Sequence, residues 1–168
     1  MIRKIDWPPL LAPGRHFLTL SDIKRLGVDR FTADDRNIRY RMFLSLEQVV
    51  QDLLIAKIPC EVRIDGSFLT EKPDPGDIDI VISLDFDVAE HLTQNQIELT
   101  MRLNEQDSYV HIDSSVWTLY PRGHKCFRCA FDADVVSEGY GIENSEVYLK
   151  GIAVLRVWET DVGLRIHR

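Results

Sequence analysis

The chain has 168 residues, 45% of them hydrophobic, which is ordinary globular composition and enough for one domain with a real core. No apolar run exceeds four residues (Leu53 to Ala56, Ile152 to Leu155), so neither a membrane span nor a signal-peptide core is present and a cytoplasmic protein is expected. The 27 acidic and 20 basic residues leave a net charge of −7, which argues against nonspecific adhesion to nucleic acid but not against a phosphate-bearing substrate accompanied by metal ions.

Residues 1–20 read as a proline-marked arm and residues 21–168 as a single domain. Pro8-Pro9 and Pro13-Gly14 work against regular structure in the arm, while Trp7, Leu10, Leu11 and Phe17 supply apolar anchors. Ser21 caps a short predicted helix that Gly27 ends. Thr32 with Asp35 resembles a capping box and opens the longest helical pattern, Ala33 to about Ala56. Phe43, Leu46, Val50, Leu53 and Leu54 recur there at three- and four-residue steps, with Arg36, Arg39, Arg41, Glu47 and Gln51 on other faces.

Past Pro59 the period changes to two. Residues 61–65 alternate as a strand, Phe68 to Gly76 form a loop or single helical turn, and residues 77–83 are a second, β-branched strand. A second helix is expected from about Val88 to Leu103, followed by a third strand at 109–113. Val116 to Tyr120, Phe127 to Val136 and Ile152 to Trp158 are further strand candidates. The order predicts an α/β (α+β) fold, a mixed sheet with the helices at 33–56 and 88–103 on one face. Cys60, Cys126 and Cys129 cannot all pair and read as reduced thiols. Cys126 and Cys129 form a lone CxxC without the further ligands a structural zinc site needs.

The chemically informative segment runs from Asp65 to Ile80. Asp77 and Asp79, two apart in a strand, project from one face with Cα atoms about 6.6–6.8 Å apart. Ile78 and Ile80 point the other way, into apolar packing. Two carboxylates on one face of such a strand repel each other unless a cation lies between them. Divalent ions in two-metal sites lie about 3.5–4 Å apart, a spacing such a pair can serve. Gly66 lets a ligand approach the backbone, and Ser67 offers a hydroxyl and amides to phosphate. Asp113, ending the strand after the crossover helix, is the candidate third carboxylate.

Gly66-Ser67, nine intervening residues and Asp77-Ile78-Asp79-Ile80 resemble the signature of the polymerase-β-like nucleotidyltransferase superfamily. The resemblance implies that Gly66 and Ser67 bind a nucleoside triphosphate and that Asp77, Asp79 and Asp113 hold two magnesium ions, with manganese as a substitute. Three segments look more narrowly like a bacterial group of small stand-alone nucleotidyltransferase-like proteins: Leu11 to His16, Asp65 to Thr70 with Lys72-Pro73, and Lys150-Gly151-Ile152. No RNA-binding, base-clamping or thumb domain is recognisable after the core, so large polymerases and tRNA-tailing enzymes are not expected.

The implied chemistry is transfer of a nucleoside monophosphate, most simply AMP from ATP, to a hydroxyl of a protein or nucleic acid. Minimal nucleotidyltransferases of this kind act in toxin–antitoxin modules on a HEPN-type ribonuclease toxin, which makes such a protein a candidate partner. The alternative is a catalytically inactive nucleotide-binding or scaffolding protein of the same fold. Lys72 is a candidate triphosphate contact, with a solvated loop lysine the equal reading. Arg122, Lys125, Glu143 and Glu146 read as surface charge. His111 reads as an exposed or supporting group beside Asp113, and Asp132 or Asp134 is the fallback third ligand.

Overall fold

The computed structural model describes residues 7–105, 108–127 and 150–158. Its elements are β1 (Gly14–Phe17), α1 (Leu20–Lys24), α2 (Ala33–Ile55), β2 (Cys60–Asp65), β3 (Ile78–Asp85), α3 (Phe86–Glu90), α4 (Gln94–Leu103), β4 (Ile112–Leu119) and β5 (Gly151–Val157). The described strands form one mixed sheet in the order β1-β5-β2-β3-β4. β2 runs antiparallel to both β3 and β5, while β1–β5 and β3–β4 are parallel pairs.

Strand alternation sorts the sheet into two chemically different faces. Even-numbered residues of β2 and β3 and odd-numbered residues of β5 face the core: Val62 and Ile64, then Ile78, Ile80, Ile82 and Leu84, then Ala153, Leu155 and Val157. Against them pack Met42, Phe43, Leu46, Val49, Val50 and Leu53 of α2 and Leu99 and Leu103 of α4. The opposite face carries Glu61, Arg63 and Asp65 on β2, Asp79 and Ser83 on β3, and Asp113 and Ser115 on β4. The sheet is apolar towards its helices, while the other side mixes these polar groups with Val81 on β3, Trp117 on β4 and Ile152 and Val154 on β5.

Several boundaries differ from the sequence expectation. Residues 14–17, expected in an irregular arm, form edge strand β1 paired with β5; Pro13 precedes the strand and costs it no donor. The first helix is capped by Thr19 rather than Ser21, in a capping box with Asp22, and widens into a π-helical turn at Arg25–Asp29. Thr32 Oγ1 donates to the Asp35 carboxylate at 2.8 Å without capping the backbone. The helix expected at 88–103 is two pieces, because Thr93 begins a new helix through a capping box with Gln96. Gln96 Nε2 also donates to Ala56 O at 2.9 Å, tying α4 to the end of α2.

The third strand begins at Ile112, not Tyr109, and absorbs the segment 116–119 that had read as a separate strand. Residues 109–111 turn instead, with Ile112 N donating to Tyr109 O and His111 at φ 62. Tyr109 therefore does not alternate with Asp113; its hydroxyl donates to Asp52 on α2 at 2.6 Å. Arg39, expected off the apolar face of the helix, is fully buried. No described helix is long and apolar enough to cross a membrane. Cys129, Asp132, Asp134, Glu143, Glu146 and the strand expected over 127–136 from residue 128 onward lie outside the described residues.

Candidate functional site

Register brings three carboxylates into a line across the face opposite the helices. Asp65, the last residue of β2, pairs with Asp79 on β3, and Asp79 pairs with Asp113 on β4. Neighbouring strands are about 4.7–4.9 Å apart, so the three side chains stand side by side over about 10 Å. Asp77 lies one residue before β3 rather than within it, two residues from Asp79 at the strand's entry. Next to it, Ile78 N donates to His111 O at 2.9 Å, locking the entries of β3 and β4 together.

Of the residues singled out in the sequence, Asp79 and Asp113 are directly opposed and Asp77 adjoins them. Asp65 is the one that sequence reasoning missed. It is buried, 4% exposed. Its Oδ1 accepts from Gly66 N at 2.7 Å, while Oδ2 has no hydrogen-bond partner among the described residues. Burial, with the Asp79 charge adding to it, pushes its carboxyl up to about 7, against the opposing Gly66 N–H bond and the charge of Lys150. The signal for Asp65 was available: an antiparallel partner strand that alternates as 61–65 does places its odd residues on the same face as Asp79.

Gly66 follows at φ 75 and ψ −162, a backbone region essentially reserved for glycine. A Cβ at Gly66 would overlap Asp79 Oδ2, so the glycine is what lets the Asp79 carboxylate lie against the β2 terminus. Ser67 to Leu69 then make one 3₁₀ turn, closed by Leu69 N donating to Gly66 O and Thr70 N to Ser67 O. Those bonds use neither the Ser67 nor the Phe68 amide. Thr70 Oγ1 donates to Ser67 O at 2.8 Å and accepts from Lys72 N at 3.2 Å, so Lys72 is held through its backbone.

The arm and β5 complete the surroundings. Leu10 N donates to Leu69 O and Glu71 N to Pro8 O, both at 2.8 Å. Gly14 pairs with Gly151, and a Cβ on Gly151 would overlap Ala12 O. The last β2–β5 pair is Ile64 with Ala153, which brings Lys150-Gly151-Ile152 past the end of β2, where the Lys150 charge acts on Asp65.

The fit to a divalent cation can be judged from these side chains. Among the described residues no three such groups already surround a common point. The aspartates form a row instead, and the buried, unpartnered Asp65 Oδ2 is an oxygen short of a donor or cation. Hard oxygen ligands of this kind suit magnesium or manganese, not the thiolate chemistry of Cys60 or Cys126. Cys60 is buried in β2, and burial, followed by the Glu61 charge, pushes its thiol up to about 12.

Residues 5–155 match a family of unknown function, DUF6932. No curated protein and no solved structure matches the chain.

Proposed function

We propose that this chain, which belongs to the DUF6932 family, is a magnesium-dependent nucleotidyltransferase that moves a nucleoside monophosphate, AMP from ATP in the simplest case, onto a hydroxyl of a protein or nucleic acid. One observation carries the reading. Asp65, Asp79 and Asp113 are in register across three strands, and a glycine that only glycine can replace sits against the middle carboxylate. Like charges at one strand spacing are unfavourable, and burial of Asp65 makes them more so, which is the arrangement expected of groups kept for a cation rather than for stability.

In this reading Asp77, Asp79 and Asp113 would hold two magnesium ions, with manganese able to substitute. When bound, the ions neutralise triphosphate charge and acidify the acceptor hydroxyl. Gly66 and Ser67 receive the triphosphate, Ser67 through its hydroxyl and an amide, and Lys72 adds a cation in the same loop. Asp65 stands beside Asp79 on the neighbouring strand. A protein acceptor fits a toxin–antitoxin module with a HEPN-type partner, working in the cytoplasm.

A non-catalytic nucleotide-binding or scaffolding protein is the competing reading, favoured by the row arrangement in which, among the described residues, no three carboxylates surround one point. Incubation with each α-labelled nucleoside triphosphate, magnesium and cell lysate separates the two. The enzyme reading expects a labelled macromolecule with wild type and none with Asp77→Ala or Asp113→Ala. Asp113→Ala should keep much of the ATP affinity that Asp77→Ala loses. Retained ATP binding with no label from any of the triphosphates would leave the competing reading standing.

A further inference from the structure

The side chain of Arg39, in the second turn of α2, is fully buried. Its described hydrogen-bond partners are all backbone carbonyls. Nη1 donates to Gly27 O at 3.0 Å and Phe68 O at 2.8 Å, and Nη2 to Thr70 O at 2.8 Å and Lys72 O at 2.5 Å. The guanidinium carbon lies 3.6 Å from the centroid of the Phe31 ring and 5.4 Å from that of Phe68.

Three of those four acceptors are alternate residues of one short segment, the one that directly follows Gly66-Ser67. The intervening residues are held from the other side, Leu69 O by Leu10 N and Glu71 N by Pro8 O. The segment 68–72 is thus a ribbon with the arm along one edge and a single guanidinium along the other. A planar fork with donors on two nitrogens can serve three carbonyls in a row; an ammonium, with its donors on one nitrogen, cannot. Burying a charge whose described hydrogen bonds all go to carbonyl dipoles is expensive even with the Asp35 charge acting in its favour, and a plain core position would be filled at lower cost by an apolar side chain.

We infer that Arg39 is the positioning residue of the triphosphate-binding turn: its fork holds segment 68–72 in place, and so sets where Ser67 and Lys72 stand. The inference rests on the nucleotidyltransferase reading, because the segment needs fixing only if it binds a ligand. It also explains why Gly27 has no side chain. A Cβ there would press on the Phe68 ring, which closes over the guanidinium.

The test uses the full chain with Arg39→Lys, which keeps the charge and loses the fork, and Phe31→Leu, which keeps the fork and loses its stacking face. Amide hydrogen exchange is followed at residues 67–72 and, as a reference, at 46–53 of α2, and magnesium–ATP is titrated calorimetrically. In Arg39→Lys, exchange at 67–72 should quicken by about tenfold with 46–53 unchanged, and the Kd for magnesium–ATP should rise by about tenfold, the loss of a charge-assisted hydrogen bond. Phe31→Leu should move both in the same direction by less, and carries the test if Arg39→Lys does not fold. An unmoved Kd in the variants beside a wild type that binds overturns the positioning role alone. Protection lost equally in both regions overturns it too, since Arg39 then serves general stability. A wild type that binds no magnesium–ATP overturns the nucleotide reading itself.

Discussion

Replacing Asp65 by asparagine changes one proton-binding group and little else. The amide oxygen can still accept from Gly66 N, as Asp65 Oδ1 does at 2.7 Å, and the amide nitrogen falls where Oδ2 has no partner among the described residues. In the wild type the carboxyl is pushed from 3.8 up to about 7, by burial first and by Asp79 in addition. Between about pH 4 and pH 7 the folded chain therefore keeps a proton that the unfolded chain has released. Stability is highest at the acid end of that window, falls as the pH rises through it, and bears the full cost above about pH 7. About three pH units at about 1.4 kcal/mol each give a total of order 4 kcal/mol, of which about 2–3 kcal/mol falls between pH 5 and pH 8. Urea unfolding with EDTA across that range should show this loss in wild type, and Asp65→Asn should escape it. Magnesium added at about pH 8 should return part of the loss to wild type. Two stability curves that stay parallel from about pH 5 to pH 8 would refute the claim that Asp65 is held against its preferred charge.

The close approach of Gly66 to Asp79 makes Gly66→Ala costly twice, through backbone strain of about 1–3 kcal/mol and through displacement of the Asp79 carboxylate; a variant with wild-type melting and labelled transfer removes that contact from the account. Millimolar magnesium or manganese should raise the melting temperature of wild type, and by clearly less in Asp79→Asn, as measured by scanning calorimetry; equal shifts in both would place the ion elsewhere. Ser67→Ala should weaken magnesium–ATP binding by about 1.5–3 kcal/mol in a calorimetric titration, one hydrogen bond to a charged group, and an unchanged Kd would take the hydroxyl out of the site.

Much of the architecture was legible because it is written in period and punctuation. The apolar steps of α2 specify one buried face, and the β-branched run of β3, buried on both sides from Ile80 to Leu84, specifies a central strand against which that face packs. What escaped depended on partners far away in sequence. β1 exists because β5 offers it an edge, and nothing local in Gly14-Arg15-His16-Phe17 announces a strand. The break between α3 and α4 was readable, in Thr93 and Gln96, but a longer apolar pattern running through it hid the cap. Arg39 was placed off the apolar face because helix periodicity counts hydrocarbon. It does not count carbonyls supplied from 29 to 33 residues further on.

The same division holds at the site. Asp77-x-Asp79 and Gly66-Ser67 stand out as local motifs, whereas Asp65 gains its meaning only from register, as the neighbour of Asp79 across an antiparallel pair. Register also explains three segments that are scattered along the chain. Leu11 to His16 lies against Gly151 through Ala12 O and the Gly14 pairing. Lys150 to Ile152 runs past the end of β2 and brings a positive charge to Asp65. Asp65 to Thr70 is gripped by the arm on one side and by Arg39 on the other. The last two contacts act on one short stretch, the end of β2 and the turn after it, and the first fixes the start of β5 alongside. A chain that brings an arm, a glycine-only crossing and a buried guanidinium to one turn beside a row of aspartates holds that turn in one place. That is the pattern expected where a ligand, rather than the fold, sets the geometry.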